Sequence, residues 1–523
     1  MEIKKILFNG ENTLKKVCKK YKTEDVNLKI KEDKVLITAD ETALNKVEIL
    51  FNNEFFSKDA LILGDAWERA YADLCFQKAD PEKYLPWYFV AKDENKIYAF
   101  GVKTLPNAMC SWLIKDEGIV LNIDLRSGKN GVILNGREIE ACRIVTKEYE
   151  GDVFDALCDF TKFMCDNPRK VKGPIYGGND WYCNYSKNSH EKIVTMAERI
   201  AECAGIENGV AKENSPASKM TPYMVIDDGW QITHKSTRKG DEYSYNGGPW
   251  DKCGKNFNSM AETAKAISDL GVKPGIWFRP LLTIAELPDE YITRYDPVEN
   301  GKMLDPSHPE VLKIVAEDVK RICSWGYKLI KHDFSTYDIC EKWGSQMKEG
   351  FVGISDFYDK NKTTAEILKN FYKTIRDSAS DDVLIMGCNT VSHLSAGIFD
   401  IQRTGDDTSG YEWERVKNYG VNTLAFRLPQ HENFYQADAD CVGITTAMDW
   451  NKNRMWLDVL AKSATPLFVS IGHDAYSQEV KEDITKAFIN ITNAEKTSRP
   501  LDFIENRIPE KWESDFGTDE YKW

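Results

Sequence analysis

The sequence predicts an α/β protein: a (β/α)8 TIM barrel preceded by an all-β sandwich, with a short C-terminal segment. Three observations predict it. Eight short apolar strands alternate with helical patterns over about 300 residues, the count such a barrel needs. Residues 1 to about 148 instead carry short β-branched and aromatic runs punctuated by turn residues, the pattern of a sandwich. No Gly-x-Gly-x-x-Gly follows any strand, which counts against a doubly wound open sheet, the alternative. The expected organisation is a sandwich over 1–148, a linker helix in 149–172, a barrel over 173–473 and a short segment over 474–523.

In the first region, runs at 34–39, 47–51, 96–102 and 118–123 read as strands, with Asn52-Asn53 and Ser127-Gly128 as turns. Residues 152–164 have helical spacing, and Asn167-Pro168 stops them. Barrel strands are expected at 174–181, 223–227, 273–278, 328–333, 382–388, 399–403, 434–444 and 466–471. Helices are expected at 191–204, 260–270, 309–325, 365–375, 412–424 and 454–463, with Pro309 at a helix start, where its missing N–H costs nothing. A long insert, 338–361, follows the fourth strand, and a helix near 477–493 follows the last. No internal repeat or low-complexity tract interrupts this order.

Bulk properties narrow the function classes. The chain has 523 residues, more than one ordinary core accommodates. Its net charge is −14, so it lacks the basic footprint that phosphate backbones demand, and nucleic acid is not an expected partner. No apolar run approaches the roughly 18 residues of a membrane span, and Ile6-Leu7-Phe8 is too short for a signal peptide, so no membrane association is expected. Thirteen cysteines, dispersed from Cys18 to Cys441 without a Cys-x-x-Cys pair, read as reduced thiols and a cytoplasmic location.

In a parallel barrel, side chains at the C-terminal strand ends converge on one mouth. Asp333 ends the fourth strand, and Lys331 faces the same side one alternation earlier, where it can hold Asp333 ionised. An ionised carboxylate there can be a nucleophile; the plain reading is a cap on the turn that follows. Arg403 closes the sixth strand, and Asp407, or Asp406 in its place, can curl back over the mouth. A carboxyl beside another carboxylate and partly out of water has a raised pKa, which suits a general acid; the plain reading is a solvated Gly-Asp-Asp turn. Asp227-Asp228-Gly229-Trp230 ends the second strand and offers two acceptors and an indole to a sugar, or is a plain turn. No histidine near it has metal-ligand spacing. Trp277 in the third strand and Trp181 and Tyr182 at the end of the first are core or pocket walls, and Cys388, without a paired histidine, packs as a small wall residue.

These segments resemble the retaining α-galactosidases of glycoside hydrolase families 27 and 36, family 36 more closely. The resemblance covers about 173–471 and runs through Asp227-Asp228-Gly229-Trp230-Gln231, Lys273-Pro274-Gly275-Ile276-Trp277, Lys331-His332-Asp333, Gly387-Cys388 and Arg403-Thr404-Gly405-Asp406-Asp407. Gly64-Asp65-Ala66-Trp67-Glu68-Arg69 likewise looks like the sandwich that precedes such barrels. It implies Asp333 as nucleophile and Asp407 as acid/base, favoured over Asp406. It implies Asp227 and Asp228 on the 4-OH and 6-OH of galactose. Lys331, Arg403, Trp277 and Cys388 match sugar-binding positions, and Trp181 matches more loosely. No metal or organic cofactor is implied; the partner is a small α-glycoside. A pocket for α-N-acetylgalactosamine or another α-linked sugar, a galactosyl-transferring relative, and a non-catalytic carbohydrate-binding barrel are the rival readings.

Three departures from the family pattern stand out. His332 replaces an apolar or aromatic residue, which bears on the pocket floor. Asp406 replaces an uncharged one, which bears on the acid/base pKa. The C-terminal β-sandwich is nearly absent, which leaves the completeness of the chain and a homo-oligomer open.

Overall fold

The computed structural model describes residues 1–523 except 11, 18–19, 235–244, 348–352 and 354, so Cys18 and part of the insert at 338–361 lie outside the described residues. Residues 3–150 build two antiparallel sheets, one of six strands and one of nine. The expected runs appear as Lys34–Ala39, Lys46–Phe51, Lys96–Val102 and Gly118–Asp124. Alternation explains them: in Lys34–Ala39 every second residue (Val35, Ile37, Ala39) is buried. Aromatic pairs fill the space, with Phe89 stacked on Phe100 at 4.9 Å and edge-on to Trp112 at 5.9 Å. The helix Val153–Met164 starts at Asp152, whose carboxylate accepts the N–H groups of Phe154 and Asp155. Its buried face includes Phe154, Leu157 and Phe160.

The second half of the chain forms a nine-stranded parallel sheet. In chain order its strands are β1 (Tyr176–Asn179), β2 (Tyr223–Ile226), β3 (Lys273–Phe278), β4 (Leu329–His332), β5 (Leu384–Gly387), β6 (Ile401–Arg403), β7 (Gln436–Asp438), β8 (Val442–Ile444) and β9 (Leu467–Ile471). The spatial order is β7-β6-β5-β4-β3-β2-β1-β9-β8. Edge strands β7 and β8 are consecutive in the chain and only residues 439–441 lie between them, so the sheet curls until its edges come within roughly 14 Å. The single run expected at 434–444 is therefore two strands. It breaks at Asp440, which has φ +85°, and the Asp440 carboxylate takes the N–H groups of Cys441 and Thr408.

Helices His190–Cys203, Met260–Asp269, Pro309–Ser324 and Thr364–Ser378 follow strands and carry their own start signals. Ser189 and Ser259 cap two of them, and Thr363 with Glu366 forms a reciprocal capping box. The helix expected at 412–424 is instead Trp413–Arg415, a π-helical turn over Val416–Val421, and Asn422–Arg427. The wide turn holds Gly420 against Trp456, where a Cβ would come within 2.9 Å of the indole. The C-terminal segment has the expected helix, Gln478–Ile491, and also an unforeseen three-stranded sheet of Arg499–Pro500, Lys511–Ser514 and Gly517–Glu520. Among the described residues no helix is long and apolar enough to cross a membrane.

The N-terminal segment 64–71 is tied to the parallel sheet by buried polar contacts. Ala70 N–H donates to Thr404 O at 2.8 Å, and Asp406 N–H donates to Ala70 O at 3.0 Å. Arg427 donates from Nε to Asp65 Oδ1 at 2.9 Å and from Nη2 to Oδ2 at 3.2 Å, with both side chains almost fully buried. Removing one partner of such a pair leaves the other charge stranded out of water. Asp65→Ala is therefore expected to destabilise the protein by about 3–5 kcal/mol, read from the urea unfolding midpoint. A loss below about 1 kcal/mol would mean that Arg427 finds compensation elsewhere.

Candidate active site

Period-two alternation decides what the β4 end presents. Lys331 and Asp333 face the cavity, while His332 points outward and is fully buried against Phe371, Tyr372 and Phe399. Burial pushes His332 down to about 3, so it is neutral, and it has no part in the pocket floor. Asp333 accepts from Trp277 Nε1 at 3.1 Å and from Phe334 N–H at 2.7 Å. Phe334 is held at φ +62°, a left-handed conformation uncommon for an aromatic residue, and Arg279 lies 4.2 Å over its ring. Arg279 is in turn fixed by Asp338 at 2.6 Å.

Lys331 does not pair with Asp333 as expected. Its ammonium donates to Asp227 Oδ2 at 2.7 Å, with both side chains nearly buried. Burial pulls the Lys331 pKa down, but the Asp227 carboxylate outweighs it and holds the group protonated. Asn179 Nδ2 also donates to Asp227 Oδ2 at 2.7 Å, and Asp228 N–H donates to Oδ1 at 2.9 Å. Asp228 accepts from Ser186 Oγ at 3.0 Å and from Gln231. Burial pushes Asp228 up to about 7, opposed by Gln231 and reinforced by Asp227. Near neutral pH it can thus donate to, as well as accept from, a hydroxyl. The turn behind it needs Gly229: at φ +122° a Cβ would meet Ser186 O at 2.6 Å. The indole of Trp230, expected beside these carboxylates as a sugar wall, is instead fully buried and donates to Trp277 O at 2.7 Å.

Past β6, Gly405 turns the chain so that Asp407 reaches back to the mouth. A Cβ on Gly405 would come within 2.3 Å of Tyr419 O. Asp407 Oδ1 accepts from Arg403 Nη2 at 3.1 Å and Arg69 Nη1 at 3.3 Å. Burial raises its pKa, but Arg403, Arg69, Lys331 and Arg415 together outweigh burial and hold it below the ordinary carboxylate value. The raised pKa expected from a neighbouring carboxylate is thus reversed by cations. Asp406 does not line the cavity and pairs with Arg69 and Arg415, each at 3.4 Å.

One cavity of about 250 Å³ collects these groups. Asp227, Asp228, Trp277, Lys331, Asp333, Asp407 and Trp181 line it. Trp181 does so from the first turn of a short helix, Trp181–Asn184, since β1 ends at Asn179. Arg403 and Cys388 are not in the lining. Arg403 stands behind Asp407 and is anchored by Asp440, and Cys388 lies 3.9 Å from Arg403 Nη1. Tyr182 is buried and donates to Asp440.

Sequence reasoning missed Arg69, Tyr185, Ser186, Asn246, Phe334 and Trp343, which complete the lining. Arg69 lay in a segment read only as part of the sandwich. Trp343 lay in the insert, where it stacks on Tyr337 at 4.7 Å and covers Arg69 at 5.4 Å. Among the described residues, no group of three or more His, Cys, Asp or Glu side chains is placed to hold a metal. The twelve described cysteines are free thiols.

No family model matches the chain. Solved structures do. The chain is similar to an α-galactosidase from Thermus thermophilus in complex with p-nitrophenyl α-D-galactopyranoside, with a TM-score of 0.61, 16% identity, and 95% of this chain and 97% of that one covered. It is also similar to a family 36 α-galactosidase from Geobacillus stearothermophilus in complex with raffinose, with a TM-score of 0.59, 12% identity, and 97% and 78% covered. What is shared is the fold. At these identities the chemistry has to be argued from the side chains in the cavity.

Proposed function

We propose that the chain is a retaining, exo-acting α-galactosidase. The observation that carries this is the convergence of Asp333 and Asp407, from two different strand ends, on one cavity that also holds the hydrogen-bonded Asp227–Lys331 pair and Asp228. In this reading the curled parallel sheet is a (β/α)8 barrel over 173–473, β7 and β8 being halves of its seventh strand. The two antiparallel sheets over 1–148 are a sandwich, 149–172 is a linker helix, and 474–523 is a short C-terminal segment.

Galactose would sit with its 4-OH and 6-OH on Asp227 and Asp228. Both carboxylates already bond neighbouring donors, so their geometry is set before a ligand arrives. The nucleophile Asp333 attacks the anomeric carbon, held in orientation by Trp277 and the Phe334 N–H. Asp407 gives its proton to the glycosidic oxygen as that C–O bond breaks. It then takes a proton from water, which displaces Asp333 and releases galactose with retained configuration. Such double displacement needs the two carboxyl groups roughly 5–5.5 Å apart. Free thiols throughout the described cysteines support a reducing, cytoplasmic setting.

The test is hydrolysis of a panel of nitrophenyl α-glycosides, with proton NMR of the first-formed anomer. Release from the α-galactoside as the α-anomer is expected. Release from the N-acetylgalactosaminide alone would keep the mechanism and replace the sugar. A first-formed β-anomer would refute retention, and no release from any glycoside would refute the hydrolase.

A further inference from the structure

The turn that carries Trp343 is seated on the N-terminal segment. Trp343 lines the catalytic cavity, edge-on to Phe334 at 5.6 Å, and the helical turn Gly344–Gln346 follows it. Gly344 N–H donates to Glu68 Oε1 at 2.9 Å, and Met347 O accepts from the Trp67 indole at 3.0 Å. The fit is close, since a Cβ on Gly344 would collide with Glu68 Cγ.

Glu68 is fully buried, and donors surround both of its oxygens. Oε1 also accepts the Tyr71 hydroxyl, and Oε2 accepts Asn389 Nδ2. The Thr336 hydroxyl lies beside the same carboxylate. Burial raises the Glu68 pKa, opposed by Arg69 and by these donors. One carboxylate thus gathers its own segment, the Trp343 turn, the loop after β5 and the helix Ser335–Cys340 that follows Asp333.

These donors do not suit an amide. Asn389 Oδ1 already takes Tyr337 N–H at 3.1 Å, so the Asn389 amide cannot turn round without stranding that group. In Glu68→Gln one oxygen can still serve Gly344 and Tyr71, but the new NH2 faces the Asn389 NH2, two donors with no acceptor between them. Asn389→Asp supplies the acceptor, and its second oxygen still takes Tyr337 N–H. Together the two changes exchange donor and acceptor and move the negative charge by one side chain.

We propose that Glu68 is a positioning residue for substrate binding: its carboxylate seats Trp343 in the wall of the catalytic cavity. What Trp343 meets there rests on the α-galactosidase reading; the seat itself does not. The test takes two readouts on the whole protein, amide hydrogen exchange over 343–347, and kcat and KM for nitrophenyl α-galactoside. Glu68→Gln is expected to speed the exchange. It should raise KM about three- to tenfold, because only the seated fraction binds well, with kcat within about twofold of wild type. Adding Asn389→Asp should return both readouts to within about twofold of wild type. Gly344→Ala presses on the same seat from the other side and should act as Glu68→Gln does. Exchange unchanged in both Glu68→Gln and Gly344→Ala overturns the seat, whether or not the protein cleaves galactosides. Faster exchange with KM unmoved overturns the binding role. No recovery in the double variant overturns the donor and acceptor account of Glu68. Failure of wild type to cleave the galactoside overturns the α-galactosidase reading and the binding role with it, while the exchange still decides the seat.

Discussion

Asp333→Asn is expected to lower kcat/KM for nitrophenyl α-galactoside by roughly four orders of magnitude or more, the scale of losing an essential nucleophile. The amide is nearly isosteric with the carboxylate and keeps an oxygen for Trp277 Nε1, so the fold should survive, as circular dichroism can verify. A second variant reports the geometry. In Asp333→Gly, azide can enter the vacated space and attack the anomeric carbon from that face, giving the β-galactosyl azide. Formation of that product would place Asp333 on the face opposite the leaving group. Residual activity above about one hundredth of wild type in Asp333→Asn would transfer the nucleophile's role elsewhere.

The charged strand ends were legible in the sequence because a parallel sheet turns position along the chain into position in space. Once the β4 run is in register, alternation alone sends Lys331 and Asp333 one way and His332 the other. The same logic places Asp227 and Trp277, which follow or sit near the ends of β2 and β3. Partner choice was not legible. Lys331 is two residues from Asp333, yet its ammonium pairs with Asp227, more than a hundred residues away in the chain and on a different strand end. The interior helix register and the break in the seventh run were equally hidden. Both depend on tertiary contacts, of Gly420 with Trp456 and of Asp440 with Thr408, that no local pattern encodes. Arg69 was the largest omission. Its segment looked like part of the N-terminal β region, and the long-range ties that carry it to the parallel sheet, of Ala70 to Thr404 and Asp406 and of Asp65 to Arg427, leave no local pattern.

That omission matters most for Asp407. Its loss should be selective by leaving group: Asp407→Ala is expected to lower kcat/KM for raffinose by roughly 10²–10⁴-fold, the usual worth of general acid catalysis. For nitrophenyl α-galactoside the fall should be much smaller, because nitrophenolate leaves without a proton. An equal loss on both substrates would argue that Asp407 does structural work through Arg403 and Arg69 instead. The pH dependence follows from the same contacts. Burial raises the Asp407 pKa, and Arg403, Arg69, Lys331 and Arg415 overcome that and hold it below the ordinary value. A general acid must be protonated in the free enzyme, so kcat/KM falls as pH rises through this pKa, and a depressed pKa moves that basic limb toward acid. Substrates that need no proton should not show the limb from this group. Arg69→Met removes one cation and leaves Arg403 in place. It should therefore move the basic limb for raffinose upward by roughly one pH unit, while the profile for nitrophenyl α-galactoside shifts less. A limb that stays put would show that Arg69 positions the carboxyl without setting its proton affinity, and the N-terminal segment would then act on Asp407 through geometry alone.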